Sequence, residues 1–430
     1  MKRAFALLIV ALPTAASAQS PIDVAYARSY FEELRQLGAA DAGKLWGRRV
    51  DGPMLFADRA TQQVVANVAD KEGKLREENG VWVGQLPSSM SVSNTAIDWA
   101  GRRWSMVGWP LSDSRYARDR LLVHESFHRL QPALGFQAND VANAHLVTAD
   151  ARIWLRLEMR ALTEALLRTG LARTQSLKDA LVFRARRRNG NARAAEEERQ
   201  LELNEGLAEY TGYVLSGLPR SALPDRIAVQ LANYEQQDNF SRSFAYATGP
   251  AYGLLLDLSG AAWRTRLTAA SSLSEVARNA YRIAAPDAQS AGARVAAYKG
   301  ARMMAEERAR EAGRIAREAD MRKKLIDAPV LALPVGNSFN YSFDPNGAMP
   351  LADIGIAYDA VRVTDDWGVL NVTSGGVLLK RNERGITGVV VPVTSGATAP
   401  LKGEGWELQL APGWSVVAGQ RAGDWMLKKQ

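Results

Sequence analysis

The chain has 430 residues, enough for two or three domains and a sizeable core. Hydrophobic residues make up 47% and charged residues 23%, as in an ordinary globular protein, and the formal charge of +8 is a modest excess for this length. Cysteine is absent, which excludes disulfides and thiol chemistry.

The first 20 residues stand apart. Lys2 and Arg3 form a short positive region, AFALLIVAL is an apolar run too short to span a membrane, and ASA at 16–18 offers small residues before Gln19. This predicts a secretory signal peptide over 1–18 and a periplasmic or secreted protein. No later stretch has the length of a membrane span.

PIDVAYARSYFEELRQLG reads as an amphipathic helix. GVWVGQLP, SMSVSNTAIDWA and RRWSMVGWP then bring Val, Ile, Thr and Trp, and Ala100-Gly101 predicts a hairpin turn between the last two. Together 19–111 is expected to give an N-terminal helix and a sheet. Trp99, Trp104 and Trp109 are candidates either for sheet core or for a cleft edge that pairs with an extended peptide.

From Ser112 to about Ala285 the pattern is helical, with segments that begin on capping residues and stop at Gly. Many basic residues lie in RARRRNGNARAAEEER, 184–199, where acids follow at once. That reads as a solvated loop and helix start rather than a nucleic-acid footprint. One long charged helix, or two, is expected over 286–327. After it, short apolar runs separated by DPNG, TSGG, NERG and APG predict an all-β sandwich or barrel over 328–430. The fold class expected is therefore α+β: a mainly helical domain with an upstream sheet edge, followed by a β domain.

Only three histidines occur, and two of them lie in LLVHESFHRL, residues 121–130. Four residues of α-helix make about 400°, so His124 and His128 lie about 40° apart on one face and can reach one metal ion. Glu125 is turned about 100° from His124, beside the metal, where it can take a proton from a water. Val123, Phe127 and Leu130 give the helix a buried stripe. The competing reading is a structural histidine pair on a core helix.

A zinc hydrolase uses three protein ligands and keeps a position for water. LNEGLAEY, 203–210, offers Glu205 and Glu209 four apart, beside a stripe of Leu203, Leu207, Tyr210 and Val214. Gly206 costs a helix about 1 kcal/mol relative to Ala, which points to a close neighbour there. Glu158 in WLRLEMRAL is the rival ligand, with a salt bridge to Arg156 or Arg160 as its simpler role. His145 is a candidate oxyanion donor or a core histidine. Tyr246 and Tyr252 in FAYATGPAYGLLLD are candidate oxyanion donors, with Gly249-Pro250 expected to break the chain between them.

HESFH followed by NEGLAEY resembles the gluzincin metallopeptidases, the thermolysin and alanyl-aminopeptidase-like group, over roughly Ser112–Gly217. The resemblance implies Zn2+ on His124, His128 and Glu205, Glu125 as general base and acid, and Glu209 orienting a ligand histidine. It implies a peptide or protein substrate. The gap from His128 to Glu205 exceeds that of the aminopeptidases, in which the third ligand follows closely; at that spacing this chain has Val147. A strand like Gly-Ala-Met-Glu-Asn, which anchors a free amine in those enzymes, is not found. The long insert is expected to hold an extra helix or two. Two other readings remain open at this point: a peptide- or cell-wall-binding protein with a structural or degenerate metal site, and a zinc hydrolase of non-peptide amides.

Overall fold

The computed structural model describes residues 22–430 except 88–89, 138–140, 142, 238, 344–347, 352–353, 384 and 395–397. The expected signal peptide lies outside the described residues. The architecture is α+β, and the chain divides into two compact units, Met1–Met304 and Ala305–Gln430. Among the described residues no helix is long and apolar enough to cross a membrane.

The first unit opens with α1 (Val24–Asp41), whose start is fixed by Asp23: its carboxylate accepts from the N–H groups of Ala25 and Tyr26. A six-stranded sheet follows, built from β1 (Met54–Asp58), β2 (Gln63–Ala66), β3 (Arg76–Glu78), β4 (Val81–Gln85), β5 (Thr95–Trp99) and β6 (Arg102–Trp109). Its order is β3-β4-β2-β1-β6-β5, parallel only between β1 and β6. The predicted hairpin turn is present between β5 and β6. Ala100 and Gly101 both take positive φ, 48° and 72°, the twist that a two-residue hairpin loop requires.

Strand alternation sorts the sheet into two faces. Phe56, Val65, Val83 and Val107 pack with Tyr30, Phe31 and Leu34 of α1 and with Leu122 and Val123 of α2 (Arg115–Leu130). Trp104, Met106 and Leu55 face the other way. The sheet is thus the floor under α2, and β5 is an edge strand.

Eight further helices complete the unit or leave it: α3 (Ala149–Leu167), α4 (Gly170–Arg188), α5 (Ala194–Leu201), α6 (Leu207–Leu215), α7 (Leu223–Glu235), α8 (Phe244–Leu258), α9 (Leu273–Ala280) and α10 (Gly300–Arg322). Helices α5 and α6 form one rod, joined by a π turn over Glu202–Gly206. The long insert therefore holds α3, α4 and α5. Of the one or two charged helices expected over 286–327, the division into two is observed: a 3-10 segment runs over Ala288–Tyr298, Lys299 takes φ 51°, and α10 begins at Gly300.

The Arg-rich segment departs from expectation. Arg184 and Arg187 are not in a solvated loop; they lie in α4, 2% and 4% exposed. The reason is electrostatic: α3 and α5 supply buried carboxylates that neutralise them, as described below.

The second unit carries a seven-stranded and a five-stranded sheet. Leu331, Leu379, Val389 and Val391 of the first meet Val363, Leu370, Trp406 and Leu408 of the second in one core, so this unit is a β-sandwich.

Candidate metal centre

Helix α2 buries Val123, Phe127 and Leu130 as the spacing requires, which leaves His124 and His128 on the face toward α6. The π turn brings Glu205 to them. A π turn inserts a residue into the helical repeat and redirects the side chains around it. Gly206 permits the crossing. A Cβ there would lie 3.0 Å from Gly249 Cα and 3.2 Å from the Ala245 carbonyl oxygen of α8. The close neighbour predicted for Gly206 is thus α8.

Three atoms converge. His124 Nε2 and His128 Nε2 are 3.0 Å apart, and Glu205 Oε2 lies 3.4 Å from the first and 3.3 Å from the second. A tetrahedral ion with bonds of about 2.0–2.1 Å holds its ligand atoms about 3.3 Å apart. The triangle is therefore of the right size for such an ion, and a fourth direction is left for water or substrate. Glu205 Oε2 is buried and makes no hydrogen bond among the described residues. Among those residues this is the group of imidazoles and carboxylates able to hold a metal.

The outer nitrogens are tied. His124 Nδ1 lies 2.9 Å from Glu209 Oε2, and His128 Nδ1 lies 2.8 Å from Gln131 Oε1. Gln131 Nε2 donates to the carbonyls of Leu203 and Asn204, which fixes which end of its amide faces His128. Each acceptor places the proton on Nδ1 and turns the Nε2 lone pair inward. Glu209 in turn accepts from Arg120, whose guanidinium lies over the Tyr213 ring. Glu205 and Glu209 thus grip His124 from its two nitrogens.

Burial lowers the His124 imidazole to about 4. Burial also opposes the charge on His128, but the Glu205 carboxylate against its Nε2 raises it to about 9. Glu205 resists its own burial because both imidazoles face it, and its carboxyl falls well below the usual range. Glu125 is 4% exposed; burial pushes its carboxyl up to about 7, opposed by His128 and aided by the Glu205 charge. A carboxyl poised near neutrality suits proton transfer.

A cavity of about 680 Å³ opens on this cluster. His124, Glu125, His128 and Glu205 form one wall; Thr95 and Ala96 of the edge strand β5, Tyr234, Arg242 and Tyr246 contribute others. Tyr246 stacks on the His124 ring, centroids 5.6 Å apart and planes 4° from parallel, and Tyr234 stacks on Tyr246. Burial and Glu205 push the Tyr246 hydroxyl up, so it stays a donor.

Other candidates lie elsewhere. Tyr252 is fully buried and donates to Glu158 at 2.8 Å, with the Arg184 guanidinium over its ring. It does not reach the cavity because α8 runs unbroken through Gly249 and Pro250. Six residues along one helix put Tyr246 and Tyr252 about 120° apart. The chain break expected between them does not exist. Glu158 binds Arg184 at 2.7 Å and also Arg187, not Arg156 or Arg160, which pair with Glu235 instead. His145 Nε2 lies 2.8 Å from Glu198 and lines no part of the cavity. Trp104 is sheet core, and its indole N–H donates to the Trp99 carbonyl; the cleft edge is formed by Thr95 and Ala96 rather than by the tryptophans.

Arg120, Gln131 and Tyr234 escaped sequence reading. Arg120 had a signal, since it stands four residues before His124 and so on the same helix face. Gln131 stands three after His128, just past the end of α2. Tyr234 had none, for it reaches the site only through the packing of α7. No protein-family model matches the chain, and comparison with curated proteins and with solved structures returns no match.

Proposed function

We propose that this protein is an exported zinc-dependent peptidase of gluzincin type, with His124, His128 and Glu205 as metal ligands on a zincin-like helical domain. The observation that carries the reading is the convergence of two Nε2 atoms and one carboxylate oxygen within 3.0–3.4 Å, at the wall of a cavity that also holds Glu125. Zn2+ held there would polarise a scissile carbonyl and acidify a water molecule. Glu125 would accept the proton of that water and return it to the leaving amine. Tyr246 would donate a hydrogen bond to the oxygen that gains charge as the carbonyl is attacked. Glu209 and Gln131 hold the two imidazoles in the tautomer that a metal needs.

Glu125 belongs to the cavity wall but not to the ligand cluster. That favours a catalytic site over a closed structural one, in which a fourth protein group completes the tetrahedron. The edge strand β5 along the cavity favours an extended chain as substrate, since an unpaired strand edge offers backbone donors and acceptors. Metal analysis of the purified protein, together with cleavage of a mixed peptide library with and without chelator, tests the reading. Stoichiometric Zn2+ and chelator-sensitive cleavage support it; a protein that binds no Zn2+ at micromolar concentration refutes it.

A further inference from the structure

Behind the metal centre lies a second set of charges, fully buried but for the partly exposed Arg188. Glu202, the first residue of the π turn, is 0% exposed. Both of its oxygens accept from the Arg184 guanidinium, at 2.6 and 2.8 Å, and Oε1 also accepts from the Thr248 hydroxyl at 2.6 Å. Arg184 Nε donates to Glu158 at 2.7 Å, Glu158 accepts from Arg187, and Arg187 forks onto Glu198 at 2.7 and 2.8 Å. Arg188 adds a third guanidinium at Glu198. Three carboxylates thus meet three guanidiniums.

The rod from Ala194 to Leu215 therefore carries four gripped glutamates. Glu198 and Glu202 hold arginines on its core side; Glu205 and Glu209 hold His124 on the other. Buried ion pairs are a weak source of stability, because desolvation offsets their attraction. What a bidentate guanidinium–carboxylate fork supplies is direction: two parallel bonds fix both the rotation and the depth of the helix that bears the carboxylate. Here the gripped carboxylate stands three residues before Glu205, within the same π turn. Thr248 reaches it from α8, one residue before Gly249, which touches Gly206.

We propose that the Arg184–Glu202 fork, buttressed by Thr248, is a positioning device for Glu205: it sets the π turn so that the Glu205 carboxylate meets His124 and His128. The inference rests on the reading of those three residues as metal ligands. Tyr252 and Glu158 also touch Arg184, but at its face and its Nε rather than at the two N–H groups that fork onto Glu202; Tyr252→Phe keeps the ring against Arg184 and removes only the bond to Glu158, which loosens the core without turning the rod.

The test is Zn2+ and Co2+ titration of the full chain in the variants Glu202→Gln, Thr248→Val, Arg184→Lys and Tyr252→Phe. Thermal unfolding and circular dichroism report folding alongside. Glu202→Gln and Thr248→Val are expected to weaken Zn2+ binding about 10- to 100-fold and to alter the visible absorption of bound Co2+, with helix content retained. Arg184→Lys, which keeps the charge and loses the fork, is expected to fall with them. Tyr252→Phe is expected to lower the unfolding temperature and leave both metal readouts at wild type. If Glu202→Gln does not fold, Thr248→Val, which removes one hydroxyl, decides. Wild-type affinity and an unchanged Co2+ spectrum in folded Thr248→Val overturn the proposal. So does equal weakening by Tyr252→Phe, which would make the network a matter of stability alone. A wild-type chain that binds neither ion removes the metal reading itself, and this inference with it.

Discussion

The Nε2 atoms of His124 and His128 face one another across 3.0 Å, each with its other nitrogen tied to an acceptor. Two lone pairs so placed repel unless a cation or a proton lies between them, and the Glu205 carboxylate beside them adds negative charge. A divalent ion should therefore bind the folded chain far better than the unfolded one. Zn2+ at 100 times its dissociation constant should add about 2.7 kcal/mol to stability. Thermal unfolding followed with added Zn2+ and with chelator checks this, and His124→Ala should abolish the difference.

Substitution at three carboxylates separates the proposed ligand, Glu205, from its supports. Glu205→Ala should purify with little zinc. Glu209→Ala should retain it with about 10- to 100-fold weaker affinity, since the Glu209 carboxylate holds Nδ1 of His124 rather than the metal side of the ring. Glu158→Ala should keep its zinc, since Arg184 and Arg187 retain their forks onto Glu202 and Glu198, but it leaves the buried cluster with one carboxylate too few, at a cost of about 3–5 kcal/mol. Metal analysis and denaturant titration of the three proteins read these outcomes. A zinc-loaded Glu205→Ala protein contradicts the ligand set.

Glu125→Gln preserves shape and hydrogen bonding but removes the base. Cleavage should fall by a factor of about 10² to 10⁴, with zinc content unchanged. Activity near wild type in this variant would assign proton transfer to another group.

The local parts of the site were legible because they obey the helical repeat. HESFH fixes its own geometry: four residues apart means one face, and the stripe of Val123, Phe127 and Leu130 says which face is buried. Glu205 and Gly206 were marked by the NEGLAEY motif and by the cost of a glycine within a helix, but the π turn that carries them breaks the repeat and was not legible. The arginines were not legible either. Arg184 and Arg187 look like surface residues until Glu158, Glu198 and Glu202 arrive from other helices to neutralise them, and no local pattern encodes that meeting. Tyr252 misled because Pro250 was read as a break. A Pro within a helix removes one backbone bond, and α8 tolerates that loss in a tightly packed crossing.

The two tyrosines of α8 should now separate. Tyr246→Phe should lower kcat about 10²-fold with zinc retained, if its hydroxyl is the oxyanion donor. Tyr252→Phe should leave kcat intact and reduce stability by about 1–3 kcal/mol, because Glu158 loses a buried donor. Steady-state kinetics beside thermal unfolding distinguishes the pair, and loss of kcat in Tyr252→Phe alone would reverse the assignment.

Gly249 joins packing to chemistry. A Cβ on it would sit 2.2 Å from Gly206 Cα and 2.8 Å from the Gly206 carbonyl oxygen, and both obstacles are backbone. Gly249→Ala must therefore push α8 and the π turn apart. In a helix interior alanine is otherwise favoured over glycine by about 1 kcal/mol, so propensity alone predicts a more stable protein. Overpacking of a tight crossing costs about 1–3 kcal/mol and more where backbone must move. The second effect should win, and the variant should be less stable than wild type. The displacement acts on the residue next to Glu205, so zinc affinity should fall as well. Gly253→Ala, on the same helix, meets the Tyr210 ring at 2.4 Å and tests the distinction. It should cost stability with a smaller change in zinc affinity, because Tyr210 lies a full turn beyond the ligand. Denaturant midpoints and zinc titration of both variants measure this, and a Gly249→Ala protein more stable than wild type would show that the crossing can relax.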